Sequence, residues 1–79
     1  MTPQQNDALD ERGTTPAQAR TMIEKLRDNA FDGSDEKLAV ALGRTQQEIS
    51  DILQSETGLD DDLIMKVRGI AQQRNVNIE

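Results

Sequence analysis

Seventy-nine residues are enough for one small domain, and 15 acids against 9 bases leave it at a net charge of −6. The absence of cysteine and histidine rules out disulfides and argues against a structural zinc site. A domain of this size has a thin core, so folding rests on helix packing, helped by self-association. No apolar run approaches membrane-spanning length and no signal-peptide pattern opens the chain, so a cytoplasmic protein is expected.

Residues 1–13, MTPQQNDALDERG, read as a flexible polar arm without apolar periodicity, and residues 14–79 as the domain. Thr15-Pro16-Ala17-Gln18 is a helix start: Thr15 can cap, Pro16 suits the first helical position, and Gln18 completes a capping box. Ala19, Met22, Ile23 and Leu26 follow at helical spacing, which predicts a helix over 16–29. Phe31, the single aromatic residue, is expected to plug the core beneath the loop that Asp32-Gly33 closes.

Ser34 is the next cap, with Asp35 and Glu36 in the first turn, where the helix dipole favours negative charge. A helix over 35–42 buries Leu38, Ala39 and Leu42 and ends at Gly43, which is expected at positive φ. Thr45-Gln46-Gln47-Glu48 is a second capping box, opening a helix over 46–54 with Ile49, Ile52 and Leu53 on one face. The link between these two helices is too short for anything but a tight corner.

Leu59 and Ile64 flank Asp60 as a hydrophobic staple around a cap, and predict a helix over 61–74 that buries Leu63, Val67, Ile70 and Ala71. Its bases Lys66, Arg68 and Arg74 are expected to suit the negative end of its dipole. Asn75 to Glu79 alternates polar and apolar residues, as a short strand or a segment folded back on the core would. Four helices with short links make a small all-α four-helix bundle the natural architecture.

Residues 35–54, DEKLAVALGRTQQEISDILQ, resemble the helix-turn-helix of phage-repressor and Cro-type DNA-binding domains. Ala39 meets the family's small residue within the first helix, Gly43 its turn glycine, and Ile49 and Ile52 its branched apolar residues in the second helix. Arg44 departs from the pattern, which expects an apolar residue after the glycine. With its flanking helices the likeness covers roughly residues 15–74. Residues 59–78 are also similar to the third helix of LacI-type headpieces, which leaves the subfamily open.

The resemblance implies that helix 46–54 reads double-stranded DNA in the major groove, with Gln46, Gln47, Ser50, Asp51 and Gln54 facing the bases. A glutamine amide can pair bidentately with adenine N6 and N7, serine serves any base, and aspartate can accept from cytosine N4. Lys37, Arg44 and Thr45 would hold the phosphate backbone. One such helix makes few base contacts, so the implied protein is a homodimeric transcriptional regulator or repressor on a palindromic operator. Helix 61–74 and the Val76–Ile78 tail are the places to seek its dimer surface.

Charge pulls the other way. Residues 34–58 carry five acids and two bases, the most acidic stretch of the chain, whereas DNA affinity rests on lysine and arginine displacing counterions. The alternative is an acidic interaction module on the same fold that docks a basic protein partner, or blocks a DNA-binding one. Asp60-Asp61-Asp62 is better read as a cap and dipole pair than as a metal site. Lacking histidine, cysteine, tyrosine and a glycine-rich phosphate loop, the chain is not expected to be an enzyme or to hold a cofactor.

Overall fold

The computed structural model describes Leu9 and residues 12–78. It is all-helical: α1 (Pro16–Ala30), α2 (Asp35–Leu42), α3 (Gln46–Ser55) and α4 (Asp61–Gln73), with no strand among the described residues. Each start is built by the expected cap. Thr15 Oγ1 accepts from the Gln18 amide while Gln18 Oε1 accepts from the Thr15 amide. Ser34 Oγ accepts from the Lys37 amide, and Asp60 Oδ1 from the Leu63 amide. These bonds satisfy amides that a helix leaves without intrahelical partners, each cap being worth about 1 kcal/mol.

The core is one cluster drawn from all four helices: Ala19, Met22, Ile23 and Leu26 of α1; Leu38, Ala39 and Leu42 of α2; Ile49 and Ile52 of α3; Leu63, Ile64, Val67 and Ala71 of α4. Phe31 is buried beneath the α1–α2 loop as expected. Helix α4 turns slightly from the expected stripe: Ile64 is buried and Ile70 only half-buried.

The expectation for the bases of α4 needs correction. None lies in its last turn. Lys66 faces back to Asp62 at 3.5 Å, Arg68 Nη2 donates to Thr14 Oγ1 at 3.0 Å, and Arg74 is the C-cap. The Arg74 guanidinium lies 4.7 Å from the Phe31 ring centroid, a cation–π contact that clasps the ends of α1 and α4 together.

The chain beyond α4 folds back rather than forming a strand. Asn75 at φ 58 turns it, Val76 N donates to Ala71 O at 2.8 Å, and Ile78 enters the core at 5% exposure. Most of the expected N-terminal arm lies outside the described residues. Leu9, within it, packs against the core, and its amide donates to Thr14 O at 2.7 Å.

Candidate nucleic-acid interface

The corner between α2 and α3 is Gly43-Arg44-Thr45. Gly43 adopts the left-handed conformation, φ 68 and ψ 33. Its amide donates to Val40 O at 3.2 Å and the Arg44 amide to Ala39 O at 2.9 Å, which is the paired bonding of a Schellman stop. The chain leaves α2 abruptly and enters α3 at once, because Thr45 caps it. Thr45 Oγ1 accepts from the Glu48 amide at 3.0 Å, and Glu48 Oε1 accepts from the Thr45 amide at 2.9 Å. That bond from the Thr45 backbone holds the Glu48 carboxyl below its ordinary range, with the Thr45 hydroxyl and nearby Arg44 adding to the effect.

Helix α3 buries only Ile49 and Ile52; Leu53 is half-buried. Gln46, Gln47, Asp51 and Gln54 are exposed, and Ser50 is half-buried at the edge of the helix's inner side. The structure thus brings the five expected base-reading residues onto one short helix, four of them open to solvent. Gln47 Nε2 donates to Asp51 Oδ1 at 3.0 Å, one turn away. This bond fixes the Gln47 amide and directs its donor along the helix.

The expected backbone-holding residues are each engaged within the chain. Lys37 Nζ lies 3.4 Å from Asp32, and Arg44 Nη2 lies 3.8 Å from the Asp60 oxygen that caps α4. The Thr45 hydroxyl serves the α3 cap. Arg44, the departure from the family pattern, therefore braces the corner against the start of α4. The helices before and after α3 both open on carboxylates, Asp35 and Glu36 in the first turn of α2 and Asp61 and Asp62 in that of α4. Arg27 donates to Asp28 and to Asp35, each at 3.0 Å, and these bonds to carboxylates, Asp28's first, raise its guanidinium above its usual range.

Two features escaped the sequence reading. Glu56 ends α3 in the left-handed conformation at φ 58, a place where glycine or asparagine is the usual signal. A cavity of about 440 Å³ also lies beside the corner, running between α2 and α4 past exposed Val40, Gly43, Lys66, Gly69 and Ile70; exposed Met65 of α4 is not among its lining residues.

No group of histidine, cysteine, aspartate or glutamate among the described residues is arranged to hold a metal ion. Nor is any helix among them long and apolar enough to cross a membrane. Compared with known proteins, the chain matches no family model, and no curated protein or solved structure is significantly similar to it.

Proposed function

We propose that this chain is a helix-turn-helix transcriptional regulator that reads double-stranded DNA with α3 as a homodimer in the cytoplasm, and that it works by binding rather than catalysis. The observation that carries this reading is the way α3 is mounted. A left-handed glycine corner and a capping box hold it, two isoleucines anchor it, and the amide-bearing Gln46, Gln47 and Gln54 stand on its open side. Major-groove reading calls for a short rigid helix with amide donors and acceptors turned outward. Two copies would supply the contacts that one short helix lacks. We assign their pairing to the cavity between α2 and α4, where Val40, Gly69 and Ile70 lie beside Lys66, itself held by Asp62.

The test is selection from a random duplex pool at low salt, followed by an electrophoretic shift with the wild type and with Gln46→Ala/Gln47→Ala. The wild type enriches a palindromic site. The double variant keeps its melting temperature, since both positions are exposed, and loses that site. Binding that survives the double substitution removes α3 as the reader.

The charge around α3 favours a second reading. Lys37 and Arg44 already face carboxylates, and Asp51 takes up the Gln47 amide. On this reading the same helix docks a basic protein, such as a DNA-binding one whose site it covers. A pool from which no sequence is enriched selects this reading over the first.

A further inference from the structure

Gln47 and Asp51 stand one turn apart on the open side of α3, both exposed. Gln47 Nε2 donates to Asp51 Oδ1 at 3.0 Å. Side chains four apart are neighbours on a helix surface, so α3 carries this pair by its own geometry. A glutamine amide has an accepting end, its carbonyl oxygen, and a donating end, its nitrogen. An ionised aspartate only accepts. Asp51 therefore meets the nitrogen end alone, which leaves Gln47 Oε1 at the other end of the planar amide.

The bond occupies one amide hydrogen and one oxygen of the carboxylate. What remains is an ordered row along α3: the Gln47 carbonyl accepts, its second amide hydrogen donates, and the other Asp51 oxygen accepts. In the major groove adenine offers the N6 donor beside the N7 acceptor, which is the complement of the first two members of that row. Guanine offers two acceptors there, and thymine an acceptor and a methyl group. The third member, a carboxylate oxygen, accepts only from an amino group, cytosine N4 or adenine N6, and repels the carbonyl edges of guanine and thymine. Its charge also opposes phosphate, so it weakens the hold on every duplex while sharpening the choice among them.

We infer that Asp51 is a positioning residue that locks the Gln47 amide in the orientation adenine requires, its other oxygen accepting an amino group of a neighbouring base pair. Gln47 and Asp51 then read as one unit. This deepens the proposed reading of DNA by α3 and rests on it.

Selection from a random duplex pool tests the inference, with the wild type, Gln47→Ala, Asp51→Asn and Glu36→Gln. Fluorescence anisotropy on the enriched duplex and its single-base variants then supplies affinities. All three positions are exposed, so the substitutions keep the fold. The adenine whose preference disappears in Gln47→Ala marks the base read by Gln47. Asparagine can pair with either end of the Gln47 amide, so Asp51→Asn should cut the advantage of adenine over guanine at that position about tenfold. Affinity for an unrelated duplex should rise in the same variant, because a charge that opposes phosphate is gone. Glu36→Gln removes an equal charge from α2 and should keep the advantage of adenine within about twofold. Replacing that adenine by 7-deazaadenine, which lacks the N7 acceptor, should weaken the wild type about tenfold and Asp51→Asn far less. An unchanged advantage in Asp51→Asn, an equal loss in Glu36→Gln, or an unchanged base preference in Gln47→Ala overturns this inference alone, provided the site is lost in Gln46→Ala/Gln47→Ala. A wild type that enriches no sequence overturns the reading by α3 and this inference with it.

Discussion

Gly43 sits at φ 68, where a side chain costs free energy through its backbone alone, since a Cβ there would meet no atom within 4 Å. The expected order of stability at position 43 is therefore glycine, then asparagine, then alanine, then valine. Alanine should lose about 1–2 kcal/mol, asparagine less, and valine more because its branched Cβ tolerates the left-handed region worst. Urea unfolding of the four proteins checks the order; a valine variant as stable as the wild type would mean the corner is not left-handed. Glu48 offers a pH-dependent counterpart. Its carboxyl is held below its ordinary value of 4.5 by the Thr45 amide and hydroxyl. A depressed folded value stabilises the fold above the unfolded value, and that contribution fades as pH falls from 4.5 through the folded value. Glu48→Gln keeps an acceptor for the Thr45 amide but cannot titrate. Its stability should lie below the wild type's at neutral pH, and the gap should close as pH falls from 4.5 through the lowered folded value. A gap that stays constant across this range would show that the cap does not sense the charge.

Among the elements, the caps made the fold legible before any coordinates. Thr15, Ser34, Thr45 and Asp60 each open the helix that the sequence pattern assigned to them, because a cap is a local bond between residues three apart. Helix ends were less legible. Helix α3 runs to Ser55 and stops on Glu56, which no local rule singles out and which Arg20 faces at 3.5 Å from α1. The Arg74–Phe31 clasp joins residues far apart in sequence, so periodicity held no trace of it, whereas the alternation over residues 75–79 already allowed the fold-back that buries Ile78. For the candidate interface, the exposure of Gln46, Gln47, Asp51 and Gln54 was readable from the apolar face of α3, whereas the half-burial of Ser50 and the pairing of Lys37 with Asp32 and Arg44 with Asp60 were not. Gly69 poses an element-scale question, for it lies mid-helix, exposed and with open space around it. Nothing within the monomer needs a glycine there, although glycine in a helix costs about 0.5–1 kcal/mol relative to alanine. Gly69→Ala should raise monomer stability by about that amount. If the α2–α4 face pairs two copies closely at Gly69, the same variant weakens the dimer, since the distance between packed helices depends on the side chains at their contact. Thermal unfolding at low concentration and sedimentation at high concentration separate the two effects; tighter dimers in the variant would move the pairing face elsewhere.

For the whole molecule, the division of charge sets how DNA would be held if the proposed reading by α3 is right. The expected phosphate-holding cations beside α3 are Lys37 and Arg44, and both already face carboxylates, while Arg12, Lys25 and Arg68 gather at a cavity along α1. The logarithm of DNA affinity falls with the logarithm of salt concentration by about 0.9 per phosphate neutralised. Two cations per copy then give a slope near −2 for one protomer and near −4 for a dimer, shallow beside the slope of about −10 that a repressor making many phosphate contacts can reach. A regulator built this way has little non-specific hold on DNA and discriminates through base contacts, so an unrelated duplex should not shift even at low salt. Measuring the enriched site by fluorescence anisotropy across a range of sodium chloride concentrations tests this directly. A slope near −4 that drops to about half in Arg44→Gln fits two bases on each copy meeting phosphate beside α3. A slope steeper than about −6, unchanged in Arg44→Gln but reduced in Lys25→Glu, would place the nucleic acid along α1 and leave α3 free for a protein.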